Sequence, residues 1–221
     1  MAEPRPALDG HLMGQFRNMV KGCQVKGACN RQFVRVEKLK EWLRDHLESL
    51  LESAYHSRSQ SRTQPGLPID ARSVLEPEVC SLLVFSILLG LGQGNLIHRF
   101  YEHDLVDSKL PIDLNKLKTL YDNWNVPDAD SCAEKFNKEQ WRFCPAKLRY
   151  ANSRDFFPSH IIPITKKQKI NTKGGTATLW QIEVLEEFVA HDLRKEVSSS
   201  KFDNKKDEFG PVGDILFHLT Q

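Results

Sequence analysis

Residues 77–92, PEVCSLLVFSILLGLG, are the stretch from which the fold of this chain can be read. Val79 to Leu91 is apolar apart from Ser81, Ser86 and Gly90. At 1.5 Å per residue such a helix is too short for the roughly 30 Å hydrocarbon core of a bilayer. Pro77 suits a first helical turn, and Gly90-Leu91-Gly92 stops the run. A helix apolar on every side has no face to give to water. The stretch therefore predicts the central helix of a bundle, with Leu83 and Ile87 almost fully buried.

The flanking segments supply partners for that helix. Upstream, Val36, Leu39, Leu43, Leu47, Leu50 and Leu51 recur at three- and four-residue spacing over 31–55, with charged residues on the opposite face. Trp42 widens the apolar stripe. Residues 56–70, HSRSQSRTQPGLPID, have little to bury and read as a loop. Downstream, a helix starting at Gly94 or Asn95 carries Leu96, Ile97, Phe100 and Tyr101. Pro111-Ile112-Asp113 gives a stop and a new cap, and another cap near Asp128–Ser131 precedes Phe136, Trp141 and Phe143. Residues 31–145 thus form a helical domain, and the Pro/Gly-punctuated 1–30 an irregular N-terminus.

From Phe156 the period changes to two. Ile161, Ile162 and Ile164 precede a basic run, and Trp180, Ile182 and Val184 alternate with Gln181 and Glu183. With Gly174-Gly175 between them, 161–184 reads as a β-hairpin. A short helix at 186–193 follows, then a polar stretch, 195–210, expected to be mobile, and a last strand at 215–217. The fold class is α+β: a helical bundle followed by a small antiparallel β fragment over 146–221.

Composition narrows the function. The chain has 221 residues, with 31 Lys+Arg against 29 Asp+Glu, so no global field favours nucleic acid or an anionic membrane. The five cysteines (Cys23, Cys29, Cys80, Cys132, Cys144) contain no C-x-x-C pair, and Met1 to Asp9 lacks an apolar signal core. Both features point to an intracellular protein, cytoplasmic or nuclear, with no membrane partner. Strand–glycine turn–strand geometry lets backbone amides approach a phosphate, because no Cβ stands in the way. The same glycines equally serve a plain hairpin.

Several stretches together resemble a fungal protein kinase-like family. They are Cys80 to Leu89, Leu110-Pro-Ile-Asp113, Gln140-Trp-Arg-Phe-Cys-Pro145, Phe157-Pro158, Ile161 to Ile164, Ile170, Gly174-Gly175-Thr176-Ala177 and Leu179 to Ile182. The resemblance spans about residues 35–190, the leader motifs being more distinctive than the glycine turn. It implies a helical leader followed by the first strands of a kinase N-lobe, and ATP-dependent protein phosphorylation as the ancestral chemistry. Ile170 and Leu179 would roof the adenine. Gly174, Gly175 and Ala177 fall on the phosphate loop, where Gly174 keeps the middle glycine of G-x-G-x-x-G and Thr172 and Ala177 replace the others.

The remaining kinase chemistry has no counterpart in the sequence. Phosphoryl transfer needs a Lys on the third strand, a catalytic Asp with its Asn, and a metal-holding Asp. No V-A-I-K pattern occurs; His191-Asp-Leu193 lacks the Arg of a catalytic loop, and Asp207-Glu-Phe-Gly210 is one residue too long for D-F-G. Neither a catalytic residue nor a metal site is assigned. ATP is expected to bind weakly, and no cofactor is required.

Other clusters favour structure. Lys166, Lys167, Lys169 and Lys173 form a basic run without interleaved aromatics, which suits a solvated hairpin edge better than a nucleic-acid patch. His98 and His103 do not fit H-E-x-x-H, and Cys23 with Cys29 lacks a second pair. Trp42 and Trp141 suit core packing or a docking face. The sequence therefore points to a truncated kinase-like protein without catalysis, acting as an interaction or regulatory module through a protein partner on its helical domain. The alternatives are a helical adaptor that never used nucleotide, and a kinase whose second lobe lies beyond Gln221.

Overall fold

Leu82 to Leu89 are all buried in helix α4 (Leu82–Gly90), with Leu83 at 7% and Ile87 at 0% exposure. The computed structural model describes residues 7–56, 68–149, 158–169, 179–199 and 214–220. These fall into two units: 7–24 with 34–144, and 25–33 with the described residues from 145 onward. The chain is mixed helix and sheet, consistent with an α+β class.

The first unit is helical. Helix α1 (Ala7–Gly22) occupies much of the stretch expected to be irregular. Gly10, Gly14 and Gly22 obscure it, yet Leu12, Met13, Phe16, Met19 and Val20 recur at helical spacing and pack on the core. Burial of that stripe outweighs the roughly 1 kcal/mol helix penalty of each interior glycine. Strands β1 (Gln24–Lys26) and β2 (Gln32–Val34), most of whose residues belong to the second unit, form a two-stranded sheet. Helix α2 (Val36–His56) turns Leu39, Leu43, Leu47, Leu50 and Leu51 inward, all at 1% exposure or less. A short α3 (Ala71–Leu75) follows, capped by Asp70, whose carboxylate accepts from the Ser73 amide at 2.7 Å.

Helix α4 lacks a side-chain cap from Ser81. The Leu83 and Val84 amides in its first turn donate instead to Asp107 Oδ1 at 2.8 and 3.1 Å. Asp107 lies in a 3-10 turn far along the chain, and Lys40 of α2 holds its other oxygen at 3.2 Å. Helices α5 (Ile97–Glu102), α6 (Leu114–Asn123) and α7 (Ala129–Phe143) complete the bundle. Asp113 caps α6 through the Asn115 and Lys116 amides, as Pro111-Ile112-Asp113 implied. At the start of α7, Asp128 takes the cap position in left-handed backbone but makes no capping hydrogen bond with its side chain. Buried Gln140 instead anchors α7, accepting from the Ile112 amide at 2.7 Å and donating to its carbonyl at 2.9 Å.

Gly94 is the most closely packed of the described glycines. A Cβ there would lie 2.8 Å from Leu89 Cδ2 and 2.9 Å from Ala54 Cβ. Gly94→Ala should therefore destabilise the chain by about 1–3 kcal/mol, the usual cost of overpacking, as read from the chemical-denaturation midpoint. An unchanged midpoint would contradict this packing.

In the second unit, strand β3 (Ile164–Lys169) pairs antiparallel with β4 (Leu179–Leu185), and β4 with β5 (Asp214–Thr220), so β4 is central. Ile182 and Val184 are buried at 2% and 0%, the alternation that period two requires. Residues 25–33 belong here: the Ala28 amide donates to Ile164 carbonyl at 2.7 Å, and Phe33 meets Phe188 edge-on at 5.5 Å. The Arg31 guanidinium spans the carbonyls of Pro158, Ser159 and His160 at 2.5–2.9 Å. The helix expected at 186–193 is a 3-10 turn at 186–188 followed by α8 (His191–Ser199). The first residues of the segment expected to be mobile, 195–199, thus end a helix; 200–210 lie outside the described residues.

Candidate functional site

Of the residues assigned to a nucleotide site, Ile170 of the adenine roof and Gly174, Gly175 and Ala177 of the phosphate loop lie outside the described residues. Leu179 opens β4, in register with Thr220 of β5. The last pair of the β3–β4 ladder, Lys169 with Trp180, brings the two strands together on either side of 170–178. The third strand, β5, holds His218 and no lysine.

Two lysines of the basic run are engaged within their own sheet, and Lys173 lies outside the described residues. Lys166 Nζ pairs with Glu183 at 2.9 Å, and Lys167 Nζ sits 4.1 Å from the Trp180 ring centroid. Each is a surface contact of modest energy, and each uses a charge locally.

Titratable groups in the helical unit face one another as structural ties. Burial pushes the Cys144 thiol up to about 12 and raises the Cys80 thiol, so both hold their protons at neutral pH and are poor nucleophiles. Tyr55 hydroxyl and His98 Nδ1 lie 2.9 Å apart, and burial lowers the His98 pKa. Among the described residues no group of three or more His, Cys, Asp or Glu could hold a metal ion. No helix among them is long and apolar enough to cross a membrane.

A concave site does exist in the helical unit, where α1, α4 and α7 converge on a cleft of about 190 Å³. Phe16, Ile87 and Phe143 form its floor, each at 3% exposure or less. Gly90, at the end of α4, leaves one side open, since a Cβ there would meet nothing within 4 Å. Ser86 also lines the cleft, but its hydroxyl donates to the Leu82 carbonyl at 2.7 Å. Around the floor stand Arg17 and Lys21 of α1, both exposed, and Glu139 with Arg142 of α7. Glu139 pairs with Arg142 Nη1 at 2.5 Å, whereas Arg142 Nε is buried without a hydrogen-bond partner.

The sequence marked Ile87 and Phe143 as core residues, and none of the lining residues as part of a site. The available signal was in α1, where Phe16/Val20 and Arg17/Lys21 are two adjacent i,i+4 pairs, one apolar and one cationic. The glycines around them hid the helix that makes that spacing meaningful.

No family model, curated protein or solved structure matches this chain.

Proposed function

We propose that this chain is an interaction or regulatory module whose helical unit binds a protein partner, without phosphoryl transfer of its own. The observation that carries the reading is the α1–α4–α7 cleft, with an apolar floor, one open side and charged residues around it. Concave apolar sites ringed by a few polar groups are where proteins commonly bind ligands. At about 190 Å³ it is smaller than the 300–1,000 Å³ typical of small-molecule sites, and matches one large side chain better than a nucleotide.

The kinase-like resemblance enters this reading as ancestry. Antiparallel β3 and β4 flank the Gly174-Gly175 connection, which is the arrangement a glycine loop needs. With no lysine in β5 to hold phosphates, ATP would gain little beyond a one-sided cover for the base. A helical adaptor that never used nucleotide remains the alternative, and the cleft serves both equally.

The test is panning of a random peptide library against the full chain. Peptides should enrich, and their binding should be lost in Gly90→Phe, which fills the cleft from a position with room for a side chain. Failure of any peptide to enrich, or equal binding to the plugged variant, would overturn the reading.

A further inference from the structure

We infer that the α1–α4–α7 cleft receives an acidic peptide that inserts one large apolar side chain onto Phe16, Ile87 and Phe143. This deepens, and rests on, the reading of the helical unit as an interaction module. Three observations specify the chemistry. First, the floor is apolar and nearly closed to water, and the only hydroxyl beside it is already committed, so it suits a hydrocarbon group. Second, three cations, Arg17, Lys21 and Arg142, surround it against the single carboxylate of Glu139. Charged rims of one sign select partners of the other and speed their encounter.

The third observation is the Arg142 guanidinium itself. Nη1 is used by Glu139, but Nε is buried with no acceptor. A buried donor without a partner is costly, and the Arg142 side chain, 27% exposed, can satisfy it by turning toward a carboxylate delivered beside the cleft. Nucleic acid fits less well. Both aromatic rings of the cleft are at 3% exposure or less, leaving no open ring face on which a base could stack.

The test uses the full chain and fluorescein-labelled pentapeptides with two glutamates on each side of a central leucine, phenylalanine or alanine. Matched peptides carry glutamine flanks, and labelled oligothymidylate is the nucleic-acid probe. Anisotropy should show the leucine or phenylalanine peptide binding at least about tenfold tighter than the alanine peptide, as expected of a central apolar anchor. Glutamine flanks, Arg142→Gln or Lys21→Glu should each weaken binding about tenfold, and raising salt from about 50 to about 300 mM should weaken it several-fold. Glu139→Gln should tighten it several-fold, because it removes the competing carboxylate from the rim. A gain of affinity is an outcome that damage to the fold would not produce.

Equal binding of glutamate- and glutamine-flanked peptides, no gain in Glu139→Gln, or tighter binding of oligothymidylate would each overturn the inference. If the pentapeptides fail while the random library still yields binders blocked by Gly90→Phe, the acidic-peptide inference falls and the interaction reading stands. If the library also yields none, both fall.

Discussion

Replacing Asp107 with alanine should destabilise the chain by about 3–5 kcal/mol, the scale for stranding one member of a buried ion pair. The Asp107 side chain is only 8% exposed and that of Lys40 18%. The same carboxylate receives the Leu83 and Val84 amides in the first turn of α4, so alanine strands a lysine and two backbone donors together. Asp107→Asn separates these contributions. Its amide oxygen can still accept from Leu83 and Val84, so the loss should be only about 1–2 kcal/mol, mainly from the unpaired lysine.

The pH dependence has a definite sign. Burial raises the Asp107 pKa above its ordinary value of 3.8, with Lys40 and the two amides only partly opposing it. A raised folded-state pKa contributes stability that is fully present below the unfolded value and is lost as pH rises through the folded one. The asparagine variant has no titrating group at this position. The stability of wild type relative to Asp107→Asn should therefore fall as pH climbs from about 3.8 through the raised value, then level off. Denaturation midpoints of both proteins across the acid range would measure this. A relative stability that rises with pH over that window would contradict the burial argument.

Phe100→Ala should cost about 3–5 kcal/mol, the usual range for deleting a buried aromatic side chain. Phe100 is fully buried where α5 meets α6 and α7. Its ring lies 5.1 Å from Phe136, 5.3 Å from Trp124 and 6.0 Å edge-on from Tyr121, so one truncation opens a hole against three rings. Phe100→Leu should restore most of the buried volume and leave a deficit of about 0.5–1.5 kcal/mol for each aromatic pairing lost. Guanidinium unfolding followed by tryptophan fluorescence and by far-ultraviolet circular dichroism would test both variants. A loss below about 1 kcal/mol for the alanine variant would show that the aromatic cluster does not hold these helices together.

Local pattern carried much of the secondary structure. Eight consecutive buried residues in α4, the inward leucines of α2, the Asp113 cap and the alternating Ile182 and Val184 were all legible in the sequence. Each depends on neighbours within about four positions, where helix and strand periods leave a visible trace. The same logic missed α1, because glycine's intrinsic cost is written locally while the burial that offsets it comes from elsewhere in the bundle.

The candidate site was not legible. The sequence singled out Ile170, Gly174, Gly175, Ala177 and Leu179, and only Leu179 falls among the described residues. The cleft emerged from residues that the sequence marked as helical leader or core and never as a binding site. Phe16 and Lys21 come from one end of the helical unit, Ile87 and Gly90 from its middle, and Glu139 and Arg142 from its last helix.

What the sequence determined by itself was therefore the identity and spacing of the amphipathic elements, since hydrophobic period is a property of nearby residues. Tertiary structure decided which ends and faces meet. It placed Asp107 at the start of α4, Arg31 across three carbonyls of residues 158–160, and an unpartnered Arg142 Nε beside an apolar floor. The first two of these join residues from 23 to 129 positions apart. Burial and hydrogen-bond satisfaction over those separations depend on how the whole chain packs, and no local period records them.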